Sequence, residues 1–156
     1  MRIVAQRALR AEVIVNDEVV GRLTGPGLVL LVGITHDDNF ALAEKLASKI
    51  WSMRILEGPT GITPEAWSRG DVSASDINAA MLAISQFTLY ADTKKGRRPS
   101  WDAAAKADVA RPIFDHFVDF LRNLGAHVET GAFGEMMDVS LVNHGPVTMI
   151  LDTDLM

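Results

Sequence analysis

Hydrophobic positions change their spacing from one segment of the chain to the next. Ile3 to Ala8, Glu12 to Asn16 and Val19 to Leu23 read as strands, and the polar Asn16-Asp17-Glu18 predicts a hairpin between the last two. After the punctuation of Gly25-Pro26-Gly27, the run Leu28-Val29-Leu30-Leu31-Val32-Gly33-Ile34 is apolar throughout, as expected of a central strand buried on both faces. The spacing then lengthens. Leu42, Leu46 and Ile50 recur every four residues while Lys45 and Lys49 fall elsewhere, which predicts an amphipathic helix over Asn39 to Trp51 capped by Asp37 or Asp38. Residues 57–80 carry Gly58-Pro59, Gly61, Pro64 and Gly70-Asp71 and read as a long irregular connection.

The second half opens on the apolar strand Met81-Leu82-Ala83-Ile84. Trp101 to Ala110 is Ala-rich and reads as helical, with Pro112 suited to the first turn of a further helix. Ile113, Phe114, Phe117, Phe120, Leu121 and Leu124 give that helix a broad apolar face, and Gly125 is placed to end it. An aromatic stripe at this spacing is core packing rather than a stacking platform. Strands are expected near His127 to Glu129, Met137 to Val142 and Val147 to Asp152, and no internal repeat is visible. At 156 residues and 48% hydrophobic content the chain, residues 1–156, reads as one well-buried domain.

Composition narrows the chemistry. The chain has no cysteine, which removes disulfides, thiolate nucleophiles and cysteine-ligated zinc. Its four histidines, His36, His116, His127 and His144, show no metal-binding spacing, so neither a metal nor another cofactor is expected. No apolar run is long enough to span a bilayer, and the charged start Met-Arg-Ile-Val-Ala-Gln-Arg has no signal-peptide core behind it. The expectation is a soluble cytosolic protein without a membrane partner. A net charge of −5 argues against adhesion to nucleic acid over the whole surface. Lys94, Lys95, Arg97 and Arg98 nevertheless gather four cations around Gly96.

That basic run follows directly from a polar interruption. Where an apolar strand would continue with Val or Ile, the chain places Ser85, Gln86 and Thr88. Unpaired, each such group costs roughly 1 to 3 kcal/mol when buried. Read as a strand, Gln86, Thr88 and Tyr90 share one face while Ser85, Phe87 and Leu89 share the other. The hydroxyl of Thr88 could attack if activated, but no His, Lys or acid lies within the strand to serve as its base. A second constellation, Asn143-His144-Gly145-Pro146-Val147-Thr148, lies between two apolar strands and reads as a tight connection with its X-Pro isomer open.

With Thr130-Gly131-Ala132-Phe133-Gly134-Glu135-Met136-Met137 between them, these two motifs make the chain resemble the metal-independent D-aminoacyl-tRNA deacylases of bacteria and eukaryotes. The resemblance runs from Gln6-Arg7 to Thr148, with the Ser-Gln-Phe-Thr and Asn-x-Gly-Pro-x-Thr motifs intact. It implies hydrolysis of the ester joining a D-amino acid, or glycine, to the 3′ end of tRNA. It also implies a homodimer in which a cis Gly-Pro peptide reaches into the partner's site, where the main-chain oxygens of Gly145 and Pro146 exclude L side chains. The catalytic set carried over is Ser85, Gln86, Phe87 and Thr88, with the amides near Phe87 and Thr88 polarising the ester carbonyl. Arg7, Phe133 and Met137 would line the pocket, and Lys94, Lys95, Arg97 and Arg98 would meet tRNA phosphates. Whether Thr88 attacks or positions groups stays open.

The expected fold is α+β, a curved antiparallel or mixed β-sheet with a barrel-like core flanked by two or three helices. Three positions depart from the family pattern. Gly58-Pro59-Thr60-Gly61 stands where a Gly-Lys-Met-Asn stretch is common, His144 stands where Asp often precedes Gly-Pro, and Glu135 stands where Ala often follows Phe-Gly. Two rival readings are a nucleic-acid-binding dimer without turnover and a Thr-dependent esterase of small molecules.

Overall fold

The computed structural model describes residues 1–58, 72–94 and 96–155. Strand β1 (Arg2–Val15) organises the sheet. Along one side it pairs antiparallel with β8 (Asp138–Asp152) over nearly its full length. Its other side is shared between β3 (Gly27–Gly33), opposite Arg2 to Ala8, and β2 (Glu18–Leu23), opposite Ala11 to Val15. The two stretches expected as separate strands, Ile3–Ala8 and Glu12–Asn16, are therefore one strand bent between two partners. The predicted hairpin is present, with Asn16 and Asp17 both at positive φ (49° and 65°) and Val15 opposite Glu18.

Beyond β3 the sheet turns parallel. Strand β6 (Ala80–Ser85) lies beside β3, and β7 (Val128–Thr130) lies beside β6. The strand order is β2-β1-β3-β6-β7, with β8 on the outer side of β1. Strong curvature brings β2 back toward β7. A Cβ at Gly21 would stand 2.4 Å from the Thr130 carbonyl oxygen, so only glycine permits the approach that nearly closes the barrel. The mixed, barrel-like α+β fold is as expected.

Strand β3 is buried on both faces for the reason its sequence gives. Leu28, Leu30 and Val32 pack with Ile3, Ala5, Met81 and Ala83 against the helices, while Val29 joins Ala8, Val13, Leu82 and Ile84 inside the barrel. The helical layer is α1 (Phe40–Ser52) and α3 (Ala107–Asn123), contributing Leu46, Ile50, Phe114, Phe117 and Leu121. The aromatic stripe of α3 is core, as read. A short pair, β4 (Arg54–Leu56) with β5 (Val72–Ser73), leads into α2 (Ala74–Ile77), whose N-terminus carries a capping box between Ser73 and Asp76. Of these, β5 and α2 fall within the stretch expected to be irregular, residues 57–80; residues 59–71 of it lie outside the described residues.

Four local expectations need correction. Asn39, not Asp37 or Asp38, caps α1, its side chain accepting from the Leu42 amide at 3.1 Å. Asp38 is engaged elsewhere, accepting from the Thr35 amide and pairing with the Met1 ammonium. Residues 101–106 are not helical. Ala104 bridges to Thr35, and the Ala105 amide bonds to the Ile34 carbonyl at 2.9 Å, which holds this segment against the end of β3. Pro112 consequently falls inside α3 rather than in its first turn. It sits on the exposed side of the helix and leaves the Asp108 carbonyl without its helical amide partner.

The third and fourth corrections concern the two motifs. β6 ends at Ser85, and Phe87–Tyr90 forms a single 3₁₀ turn rather than continuing the strand. Asn143–Thr148 is not a connection between two strands. It is a bulge within β8, where Gln6 faces Thr148 and Ala8 faces Asn143, so the residues between them are pushed out of the ladder.

Candidate active site

The 3₁₀ turn after β6 is held over the end of β3. The Gln86 amide donates to the Val32 carbonyl at 2.7 Å, and Gly33 leaves the room required, since a Cβ there would lie 3.0 Å from Leu89 Cβ and 3.1 Å from the Gln86 oxygen. From the other side, Arg2 Nη1 donates to the Leu89 carbonyl at 2.7 Å while its Nε and Nη2 hold Asp152 at 2.7 and 2.6 Å. The sequence reading did not single out Arg2 and Asp152, which brace the turn from opposite ends of the chain. Burial pushes the Asp152 carboxyl up, but the Asp154 amide and Arg2 outweigh it, and the group ends below its ordinary value.

Within the turn, Gln86 Nε2 donates to Thr88 Oγ1 at 2.6 Å. The two are neighbours as expected, but through the turn and not through strand alternation. The amides of Phe87 and Thr88 open the 3₁₀ turn, so no carbonyl of the turn precedes them to accept their protons, and neither bonds elsewhere in the backbone among the described residues. The Leu89 amide is already committed to Gln86. Two adjacent donors are thus presented together at the end of β6.

Beside them is a cavity of about 190 Å³ lined by Val32, Ile34, Ser85, Gln86, Phe87, Ala105, Ala107, Ala110, Phe133 and Gly134. No carboxylate, imidazole or amine is among its lining residues. Tyr90, at the end of the turn, offers no base either: burial, with help from Asp38 and Asp152, pushes its hydroxyl far above the usual phenol range. Phe133 closes one side, tilted against Phe114 with Arg111 over its ring at 5.1 Å. Phe87 stands at the mouth, 55% exposed, edge-on to Trp101 at 5.4 Å. Trp101 follows Ser100, which pairs with Asp92 in an antiparallel bridge and closes the basic loop. Lys94, Arg97 and Arg98 are exposed on that loop, and Lys95 lies outside the described residues.

The other predicted residues fall elsewhere. Met137 packs toward the barrel interior with Leu82 and Ile84, its sulfur 2.7 Å from where a Gly131 Cβ would be, across β6 from the cavity. Glu135 is exposed and does not line the cavity. Arg7 is buried beneath the β8 bulge, its Nε donating to the His144 carbonyl at 3.1 Å. Asn143 Nδ2 and Gln6 Nε2 both donate to Thr148 Oγ1, at 2.8 and 3.3 Å, and so pin the base of the bulge. This accounts for the Asn and Thr of the motif. At its tip the Gly145-Pro146 peptide is cis, Gly145 has φ +118°, and Pro146 is exposed.

One chain does not bring these two motifs together. Arg7 pairs with Leu28 at one end of β3, whereas Ser85 pairs with Val32 at the other, a separation of about 13 Å at the usual ~3.3 Å rise per strand residue. Among the described residues no cluster of His, Asp and Glu could hold a metal ion, and no helix is long and apolar enough to cross a membrane.

A mostly apolar cavity without charged side chains, beside two backbone amides left unbonded by the turn, is the kind of site that stabilises an oxyanion and fits an acyl-transfer or ester-cleaving protein. The model of the D-Tyr-tRNA(Tyr) deacylase family matches residues 4–152. The chain is 56% identical over 154 residues to a D-aminoacyl-tRNA deacylase of Cutibacterium acnes, covering 99% of this chain and 98% of that protein. It is 52% identical to that of Kineococcus radiotolerans, covering 97% of this chain and 99% of the relative. Among solved structures, the c-Myc DNA unwinding element binding protein superposes with a TM-score of 0.85 at 31% identity, covering 98% and 99% of the two chains. A probable eukaryotic D-amino acid tRNA deacylase, at 17% identity, shares the fold with a TM-score of 0.82 over 96% and 97% of the chains. The chain belongs to the D-aminoacyl-tRNA deacylase family and is a carboxylic ester hydrolase.

Proposed function

We propose that this single-domain deacylase frees tRNA from D-amino acids and from glycine by cleaving the ester at the 3′-terminal adenosine, and that Gly145 and Pro146 turn L-aminoacyl esters away. The observation that carries the reading is the pair of Phe87 and Thr88 amides at the start of the 3₁₀ turn, beside a cavity without charged side chains. As water adds to the ester carbonyl, these amides stabilise the negative charge that develops on its oxygen. The hydroxyl of Thr88 accepts from Gln86, which occupies an oxygen lone pair and leaves its own proton to donate. That arrangement suits a positioning group better than a nucleophile, and no cavity-lining side chain can take its proton. The ribose 2′-hydroxyl of the substrate assists the attacking water, and no cofactor takes part.

Stereochemistry is read by backbone. The exposed bulge of one subunit enters the cavity of its partner in a homodimer, a reading supported by the separation of about 13 Å between the two motifs within one chain. There the oxygens of Gly145 and Pro146 hold the substrate amino group so that an L side chain collides with the protein, while glycine, having none, is accepted. Ser85, Gln86 and Phe133 surround the terminal adenosine and amino acid, Arg7 holds the bulge, and Met137 packs beneath Gly131 on the approach to Phe133. The exposed Lys94, Arg97 and Arg98, with Lys95, meet tRNA phosphates in the cytoplasm.

The test is to offer the purified protein D-tyrosyl-tRNA, glycyl-tRNA and D-tyrosine ethyl ester, with and without EDTA. Both tRNA esters should be cleaved equally well in EDTA, and the ethyl ester poorly. Comparable cleavage of the ethyl ester would favour a small-molecule esterase, and binding without any hydrolysis would favour a nucleic-acid-binding protein.

A further inference from the structure

The strongest unassigned arrangement lies under the bulge of β8, where a cavity of about 400 Å³ is lined by Arg7, Leu56, Glu57, Asn78 and His144 among others. The Arg7 side chain is 8% exposed there: Nε donates to the His144 carbonyl at 3.1 Å and Nη1 to the Ile55 carbonyl at 3.5 Å, while Nη2 forms an ion pair with Glu57 Oε1 at 3.3 Å. The same Oε1 faces His144 Nδ1 at 3.5 Å. One carboxylate oxygen therefore addresses both the guanidinium that holds the residue before Gly145 and that residue's own ring.

The guanidinium also limits Gly145 directly. A Cβ on Gly145 would stand 2.8 Å from Arg7 Nη2, so the peptide rests on the nitrogen that Glu57 holds. Moving Nη2 by a fraction of an ångström moves the surface against which Gly145 is seated, and discrimination by steric exclusion is sensitive to displacements of that size. Glu57 follows β4, outside both sequence motifs, and reaches the bulge only through the fold.

We propose that Glu57 is a specificity-positioning residue, setting the Gly145-Pro146 backbone by fixing Arg7 and the His144 ring with one carboxylate oxygen. The inference rests on the reading of Gly145 and Pro146 as the stereochemical filter. Glu57 does not touch substrate; it acts through Arg7 and His144.

The experiment measures initial rates on D-tyrosyl-tRNA and L-tyrosyl-tRNA for the wild-type chain, Glu57→Gln, His144→Asn, the double variant and Pro146→Ala, together with melting temperature. Glu57→Gln should narrow the ratio of D to L rates by about tenfold, the effect of losing one part-buried ion pair in the discriminating step, with the melting temperature unchanged. His144→Asn should narrow it less, and the double variant no further than Glu57→Gln alone, because the two act through one oxygen. Rates that fall together with their ratio preserved would mark a merely structural residue and overturn the proposal. An unchanged ratio in Glu57→Gln alongside a narrowed one in Pro146→Ala would also overturn it while leaving the filter standing. If neither variant changes the ratio, the filter reading itself fails and the proposal falls with it.

Discussion

Thr88 is where the chemistry divides most clearly. Its hydroxyl oxygen accepts from Gln86 at 2.6 Å, and no acid, imidazole or amine lines the adjoining cavity. Thr88→Ala should therefore keep hydrolysis within about a hundredfold of wild type, whereas a nucleophile would cost ~10⁴-fold or more; single-turnover rates on D-tyrosyl-tRNA distinguish these. Gly145 is constrained in a different way. At φ +118°, with Arg7 Nη2 2.8 Å from the Cβ position, it has no room for a methyl group. Gly145→Ala should reduce turnover of the D ester and raise that of the L ester, measured side by side on the two tyrosyl-tRNAs. Equal losses on both would mean the bulge plays no part in chirality.

At the scale of elements, the 3₁₀ turn depends on contacts from the two ends of the chain: Arg2 on β1 donates to the Leu89 carbonyl and is itself held by the Asp152 carboxylate on β8. The carboxyl of Asp152 is held below its ordinary value, so the sign is that of a depressed acid. Its stabilisation is fully present above the unfolded value near about 4 and is lost as pH falls through the folded value below it. Asp152→Asn should lower stability at neutral pH by about 2 kcal/mol and flatten the acid side of the stability curve, followed by urea melts between neutral and strongly acid pH.

What the sequence disclosed at this scale was local in origin. Asn16-Asp17 announces the first hairpin by itself, and β3 announces its burial by an unbroken apolar run. The 3₁₀ turn did not announce itself, because alternation around Gln86 imitates a strand and the cause of the turn, seating on Val32 and Gly33, lies some fifty residues upstream. Gly-Pro likewise imitates a hairpin turn, while the partner that makes it a bulge is Gln6, far back in the chain. The helical reading of residues 101–106 failed for the same reason, since their bonds go to Ile34 and Thr35. Both motif segments were recognised; the geometry that joins them to Glu57, Arg2 and Asp152 was not.

At the scale of the whole molecule, the two motifs lie toward opposite ends of β3, and the proposed site, completed by a second chain, makes a prediction of its own. A Pro146→Ala chain mixed with a Gln86→Ala chain should form heterodimers that recover activity at one site in each, where either variant alone is poor. A monomer with a self-contained site would show no recovery. The most direct measurement is the initial rate of the purified wild-type protein on D-tyrosyl-tRNA and on L-tyrosyl-tRNA under identical conditions. Rapid release of D-tyrosine with the L ester left intact is the predicted result. Equal rates on the two, or no hydrolysis of the D form, would contradict the account.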